Sequence, residues 1–171
     1  ENDYKKPKSF YGIAKRNASK FIVSVNKKEN FPYIILRLYQ VYGPYQNYLR
    51  LLPFIIKSCL NNKNFAVTSG DQLRDFLYID DLIDLIKKII SSKVRNQIFN
   101  VGSGKPIKVK KIIHKINCTI KKGIPEYGKI KMRKDECLNL YPDIKKVKKY
   151  YNWKPRIKLD QGLRKTIDYY K

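Results

Sequence analysis

One segment constrains this chain more than any other: the apolar, β-branched run from Tyr33 to Leu38. It reads as a buried, parallel strand, and a strand of that kind needs a sheet around it. Upstream, the first ten residues are loop-like, with Pro7 and Ser9 near their end. Ala14, Ala18, Phe21, Ile22 and Val25 then recur at helical spacing, which predicts an amphipathic helix from Tyr11 to about Lys28, ended by Asn30-Phe31-Pro32. Downstream, Tyr39 to Tyr48 reads as irregular, with Gly43-Pro44 inside it. Leu49 to Leu60 returns to helical spacing, Phe65 to Thr68 is a short strand, Gly70-Asp71 turns the chain, and Asp75 to Ile79 is a second short extended piece. Asp80 and Asp81 are N-cap candidates for a helix over 82–91. Gln97 to Val101 reads as a strand closed by Gly102-Ser103-Gly104. Helices are predicted over Val109 to Ile116, over Tyr141 to Tyr150 behind Pro142 and Asp143, and over Asp160 to Tyr170. Helices alternating with short strands predict an α/β protein. An α/β domain ordinarily begins by building its sheet, yet only one long buried strand appears. The chain reads as a piece of a larger fold.

Composition bears on partners. Thirty-eight Lys and Arg against 14 Asp and Glu give a formal charge of +24. By itself that excess points to a polyanion, nucleic acid above all. The lysine pairs 27-28, 87-88, 110-111, 121-122, 145-146 and 148-149, however, fall in separate elements. No RNP, zinc-finger or helix-turn-helix pattern accompanies them. Ile, Asn, Lys and Tyr abound throughout while Ala has three copies, so the charge reads as an even compositional drift and a solvated basic surface. No specific nucleic-acid partner is expected. A basic module that binds nucleic acid or anionic surfaces without catalysis is the alternative function.

The longest apolar stretches are far short of a membrane span, and residues 1–20, with Glu1 and Asp3 at their start, hold no secretory core. A cytoplasmic protein with no membrane partner is expected. Cys59, Cys118 and Cys137 lack CxxC spacing and His114 is the only histidine, so no metal site is expected and the cysteines are expected to be reduced and structural. His114 itself reads as a packing or surface residue.

Tyr11-Gly12-Ile13-Ala14-Lys15 sets a phenol and an ammonium four residues apart on one helix face. A lysine beside a tyrosine favours the phenolate, which can exchange a proton with a substrate hydroxyl. Alone the pair says little: among 14 tyrosines chance pairs are expected, and Tyr4/Lys8 has the same spacing. Its context is more specific. The predicted strand leads into Leu36-Arg37-Leu38-Tyr39-Gln40-Val41-Tyr42-Gly43-Pro44. Then come Gly70-Asp71-Gln72-Leu73-Arg74-Asp75-Phe76-Leu77-Tyr78-Ile79-Asp80-Asp81, Phe99-Asn100-Val101-Gly102-Ser103-Gly104, Arg133-Lys134-Asp135-Glu136 and Asn152-Trp153-Lys154-Pro155. This ordered set, from about Pro7 to Lys171, resembles the C-terminal half of the extended short-chain dehydrogenase/reductase family, the NAD-dependent epimerases and dehydratases of nucleotide sugars.

The resemblance implies the C-terminal part of a Rossmann-type fold plus the smaller substrate-binding domain, with the N-terminal dinucleotide-binding strands absent. Residues 1–48 would be the tail of the Rossmann-type domain. Residues 49–171 would be mainly the nucleotide-sugar region, with 75–101 partly returning to the Rossmann sheet. Tyr11 would be the catalytic acid/base and Lys15 would hold the nicotinamide ribose of NAD or NADP. Gln40 stands where many relatives carry Asn facing nicotinamide and sugar, and that departure leaves the reaction open among epimerase, dehydratase and 4-ketoreductase. Arg74 and Arg133 match arginines that meet the substrate diphosphate, and Glu136 matches an acid that accepts from the nucleotide ribose; Arg50 is a weaker candidate in the same pocket. The substrate implied is a nucleoside-diphosphate sugar, and the full-length protein is expected to be a homodimer through the Tyr-Lys helix. Asn100, Gly102 and Gly104 read as turn-shaping. Gly102-x-Gly104 is followed by Ile107 where a dinucleotide fingerprint needs a third glycine. In the family the fingerprint and a catalytic Ser or Thr lie upstream of Tyr11, before Glu1. Residues 1–171 alone are therefore expected to bind NAD(H) more weakly than micromolar and to turn over no substrate. A titration that finds micromolar affinity contradicts this.

Overall fold

The computed structural model describes Pro7 and residues 9–171. The Tyr4/Lys8 pair, the acids Glu1 and Asp3 and the first six residues of the expected 1–48 segment lie outside the described residues. The elements run α1 (Phe10–Glu29), β1 (Ile34–Leu38), β2 (Gln40–Tyr42), α2 (Leu51–Leu60), β3 (Asn64–Val67), β4 (Leu73–Arg74), β5 (Phe76–Tyr78) and α3 (Ile79–Ile90). After these come β6 (Gln97–Val101), β7 (Ile107–Lys108), α4 (Val109–Ile120), β8 (Ile124–Tyr127), β9 (Asn139–Leu140), α5 (Lys145–Tyr151) and α6 (Leu159–Tyr170).

Polar side chains fix both ends of α1. The Ser9 hydroxyl accepts from the Gly12 N–H at 3.1 Å, and Asn30 ends the helix in the left-handed conformation that asparagine tolerates. Asn26 Nδ2 donates to Phe31 O at 2.9 Å and to Asn96 Oδ1 at 3.1 Å, and Tyr33 N donates to the same oxygen. The last turn of α1 is thereby tied to the residue just ahead of β6. β1 then pairs with β6 in parallel, Ile34 opposite Gln97 through Leu38 opposite Val101. β2 pairs in parallel with β5, and β3 with β8; β4 lies between β7, antiparallel, and β9, parallel.

Two apolar cores share one wall. The first is built by α2, α4 and α6 around β3, with Ile55, Ile56, Phe65, Ile112, Ile116 and Leu163 buried in it. The second gathers Leu82, Leu85, Phe99, Val101 and Val147 from α3, β6 and α5 and Trp153 from the turn after α5, with Ile34 and Leu36 of β1 packed against it. β5 serves both. Side chains alternate across a strand, so Phe76 and Tyr78 enter the first core and Leu77 the second.

The differences from the sequence expectations have physical causes. The run from Tyr33 to Leu38 forms its strand but is not buried: Ile34 to Leu36 are half-buried and Leu38 is exposed. Among the described residues β1 has one strand neighbour, so its apolar run is only partly covered. α1 likewise buries none of its residues, and Phe10 and Phe21 stand exposed. The stretch read as irregular contains β2, and β4 falls between the Gly70-Asp71 turn and the extended piece expected from Asp75; pieces of two or three residues carry too little periodicity to be read. α4 continues four residues past Ile116, ending at left-handed Lys121. α5 starts at Lys145 rather than Tyr141 because Pro142 is buried, where a Cβ on Gly102 would meet its Cγ at 2.5 Å, and the Asp143 carboxylate accepts from Lys145 N. Of the three free cysteines only Cys59 is buried and structural, with its thiol pushed up by burial; Cys118 and Cys137 are exposed.

Asp80 and Asp81 are not N-caps. Tyr78 occupies the cap of α3 and both acids lie in its first turn. Asp81 is buried and faces another segment: Oδ1 accepts from Arg156 N at 2.8 Å, Oδ2 from Ile157 N at 3.1 Å, and its backbone oxygen from Trp153 Nε1. Asp81→Ala leaves two backbone donors short of a partner and should cost roughly 2–4 kcal/mol in denaturant unfolding. Asp80→Ala removes one exposed pair with Lys165 and should shift the midpoint little. Equal effects for the two variants would contradict this division of roles.

Candidate functional site

Ser9 positions Tyr11 by starting the helix one residue ahead of it. Tyr11 lies in the first turn of α1, 74% exposed, and Lys15 one turn later brings Nζ to 5.5 Å from the Tyr11 ring centroid. Phenol and ammonium share one helix face, as their spacing predicts. Both are open to solvent, so a ligand can reach them.

The second group is built around Asp75, which is fully buried between β4 and β5. Its Oδ1 accepts from Ser103 N at 2.5 Å, and its Oδ2 accepts from Ser103 Oγ and Lys105 N, both at 3.1 Å. Its backbone oxygen accepts from Gln40 N at 3.1 Å, which sets Gln40, the first residue of β2, beside the β4–β5 junction just past the carboxyl end of β1. The residue before it, Arg74, is 7% exposed, and both terminal nitrogens of its guanidinium have protein partners. Nη1 donates to Leu73 O at 2.7 Å and Nη2 pairs with Glu136 Oε1. Arg133, one turn from Glu136, reaches its other oxygen at 3.6 Å and is 83% exposed. A buried fork, a shared carboxylate and an exposed second arginine form one cluster, able to offer guanidinium donors to phosphate oxygens and a carboxylate acceptor to a hydroxyl.

The structure thus brings Arg74, Arg133 and Glu136 together, while Gln40 is joined through its backbone N–H to Asp75, the residue after Arg74. Among the described residues no hydrogen bond, ion pair or ring contact joins Tyr11 or Lys15 to that cluster. Arg50 occupies the N-cap position of α2, exposed and in no ion pair with a described residue. The glycine turn at 102–104 is filled by protein: a Cβ on Gly102 would meet Asp75 Oδ1 at 2.6 Å, and one on Gly104 would meet Ile144 Cδ1 at 2.7 Å. It is a packing turn, not an open cradle. His114 stands exposed on α4, with Nε2 3.4 Å from the Cys118 sulfur. Asp75 is the residue the sequence reading passed over. Its signal was an acid flanked by strand residues, since a charge inside a core must find donors.

With this geometry in hand, comparisons with known proteins give a consistent set. A family model described as the NAD dependent epimerase/dehydratase family matches residues 1–102. The chain is 31% identical to a putative UDP-glucose 4-epimerase of Methanocaldococcus jannaschii, over 100% of this chain and 56% of that protein. It is 26% identical to dTDP-D-glucose 4,6-dehydratase of Mus musculus, over 100% of this chain and 50% of that one. Among solved structures, UDP-glucuronic acid 4-epimerase from Bacillus cereus, in complex with UDP-glucuronic acid and NAD, superposes with a TM-score of 0.92 at 27% identity. That match covers 99% of this chain and 55% of the other. The chain spans about half the length of the curated relatives it matches.

The cluster's energetics can be checked without substrate. Glu136→Ala strands the buried Arg74 guanidinium among carbonyls and should cost about 3 kcal/mol of stability, whereas Arg133→Ala, exposed, should leave the unfolding midpoint unchanged. No loss of stability in Glu136→Ala contradicts the pairing.

Proposed function

The chain belongs to the NAD-dependent epimerase/dehydratase family, and from that premise we propose that it is the substrate-side half of an enzyme acting on nucleoside-diphosphate sugars, as an epimerase, dehydratase or 4-ketoreductase. One observation carries this reading: Arg74, Glu136 and Arg133, remote in sequence, converge next to Asp75, whose bonds to Gln40 N and Ser103 N lie just past the carboxyl ends of the parallel strands β1 and β6, where α/β sheets bind ligands. Family membership favours it over a purely basic binding module.

Tyr11 and Lys15, side by side and exposed, fit the nicotinamide-ribose end of NAD, since an ammonium and a phenol can both bond ribose hydroxyls. The filled Gly102–Gly104 turn does not fit the pyrophosphate, so that end of NAD is assigned no described residue here. When bound, NAD supplies the hydride acceptor and donor. Tyr11 Oη, as phenolate, would take the sugar hydroxyl's proton and, as phenol, return it to the sugar oxygen, with the Lys15 ammonium held 5.5 Å from its ring. Arg74 and Arg133 hold the diphosphate oxygens, Glu136 turns from Arg74 to a ribose hydroxyl, and Gln40 offers an amide to the sugar. The exposed apolar face of α1, with Phe10, Ile13 and Phe21, supports a homodimer formed through that helix.

The test uses the full-length protein with a UDP-sugar and NAD. Tyr11→Phe should lower kcat by 10²–10⁴ with KM little changed, because it removes only the proton transfer. Arg133→Ala should raise KM for the UDP-sugar about tenfold or more, since a charge-assisted contact to phosphate is lost. A Tyr11→Phe enzyme with undiminished kcat overturns the assignment.

A further inference from the structure

A second concave site lies away from the cluster just described. Helices α3 and α5 and the Trp153 turn enclose a cleft of about 390 Å³, lined by Asp84, Lys88, Lys148, Trp153, Lys154 and Arg156. That volume falls within the range of small-molecule sites, roughly 300–1,000 Å³. Four cations face one carboxylate. Nine ion pairs occur among the described residues, and none involves Lys88, Lys148, Lys154 or Arg156. Elsewhere the basic surface neutralises itself where an acid is near: Lys110 pairs with Asp71, Lys115 with Asp160, Lys165 with Asp80.

The cations come from three separate segments whose mutual placement is fixed. Asp81, in the first turn of α3, holds the N–H groups of Arg156 and Ile157 and, through its backbone oxygen, the Trp153 indole. The turn that carries Lys154 and Arg156 is therefore pinned to the helix that carries Lys88. Trp153 is itself buried and closes the floor. On α5, Lys146 is already committed to Ile98 O at 2.9 Å, which leaves Lys148 for the cleft. A set of like charges held together on a concave frame, outnumbering the single carboxylate of Asp84, is a preorganised anion receptor: an entering anion relieves the remaining repulsion.

We propose that this cleft binds a small polyphosphate anion, separate from the diphosphate cluster at Arg74. A compact, multiply charged oxyanion matches four cations arranged around a pocket. An extended nucleic-acid backbone would call for a stripe of charge instead. Asp84 faces the same space as an acceptor for a protonated phosphate oxygen.

Sodium tripolyphosphate, titrated calorimetrically into the chain, is the probe. One saturable site per chain is expected, with affinity falling at least tenfold in Lys154→Ala/Arg156→Ala. It should change less than twofold in Lys20→Ala/Lys27→Ala, which removes the same charge from α1. All four side chains are exposed, so both variants should fold, and circular dichroism checks that they do. Saturating UDP-glucose should leave the tripolyphosphate affinity unchanged; competition between them overturns the proposal by moving the anion to the Arg74 cluster. Equal losses in both double variants, or uptake that never saturates, overturns it in favour of diffuse attraction. A single-stranded oligonucleotide that displaces tripolyphosphate at lower concentration overturns it in favour of a nucleic-acid surface. Each outcome can occur whether or not Tyr11 proves catalytic.

Discussion

The buried carboxylate of Asp75 accepts from the backbone N–H groups of Ser103 and Lys105 and from the Ser103 hydroxyl, while its own backbone oxygen accepts from Gln40. A charge taken out of water is costly unless donors surround it, and here three do. Those bonds join three stretches that are far apart in sequence: the start of β2, the β4–β5 junction and the turn after β6. Arg74, directly ahead of Asp75, is set in place by the same anchor and presents its guanidinium to Glu136. Were Asp75 to lose its donors, the turn, Gln40 and the arginine cluster would lose their common reference.

The two groups of candidate residues differ in kind. Arg74 is nearly closed off and paired with Glu136, whereas Arg133 stands exposed, so a diphosphate would meet Arg133 first and reach Arg74 once Glu136 turns away. Tyr11 and Lys15 sit on a helix that buries none of its residues. β1 tells the same story at the level of the sheet, because its apolar run is as hydrophobic as a central strand yet only half covered. A chain about half the length of its curated relatives is consistent with both observations.

Long periodic segments were legible in the sequence for simple reasons. α1, β6 and α6 repeat their patterns over enough residues to be placed within one or two positions. The short strands β2, β4, β7 and β9 exist only because a distant partner supplies the other half of each ladder, and nothing in two or three residues announces that. Asp81 shows the same limit. An acid at the start of a helix reads as a cap, and only the fold shows that its oxygens serve a turn about 75 residues downstream. At the site, motif order named Arg74, Arg133 and Glu136, but the ion pair between residues 62 apart is a tertiary fact. Asp75 stayed hidden because its donors lie nearly thirty residues away in the chain.

The account stands or falls on whether a nucleotide sugar seats against the Asp75-anchored cluster. Titrating UDP-glucose into the isotopically labelled chain and following the backbone amides measures this most directly. The predicted result is saturable shifts concentrated at Gln40, Arg74, Arg133 and Glu136 and at the Ser103 turn behind them, with the amides of Lys88, Lys148 and Lys154 unmoved. Shifts scattered over the lysine-rich helices, with none at Arg74 or Glu136, would contradict it.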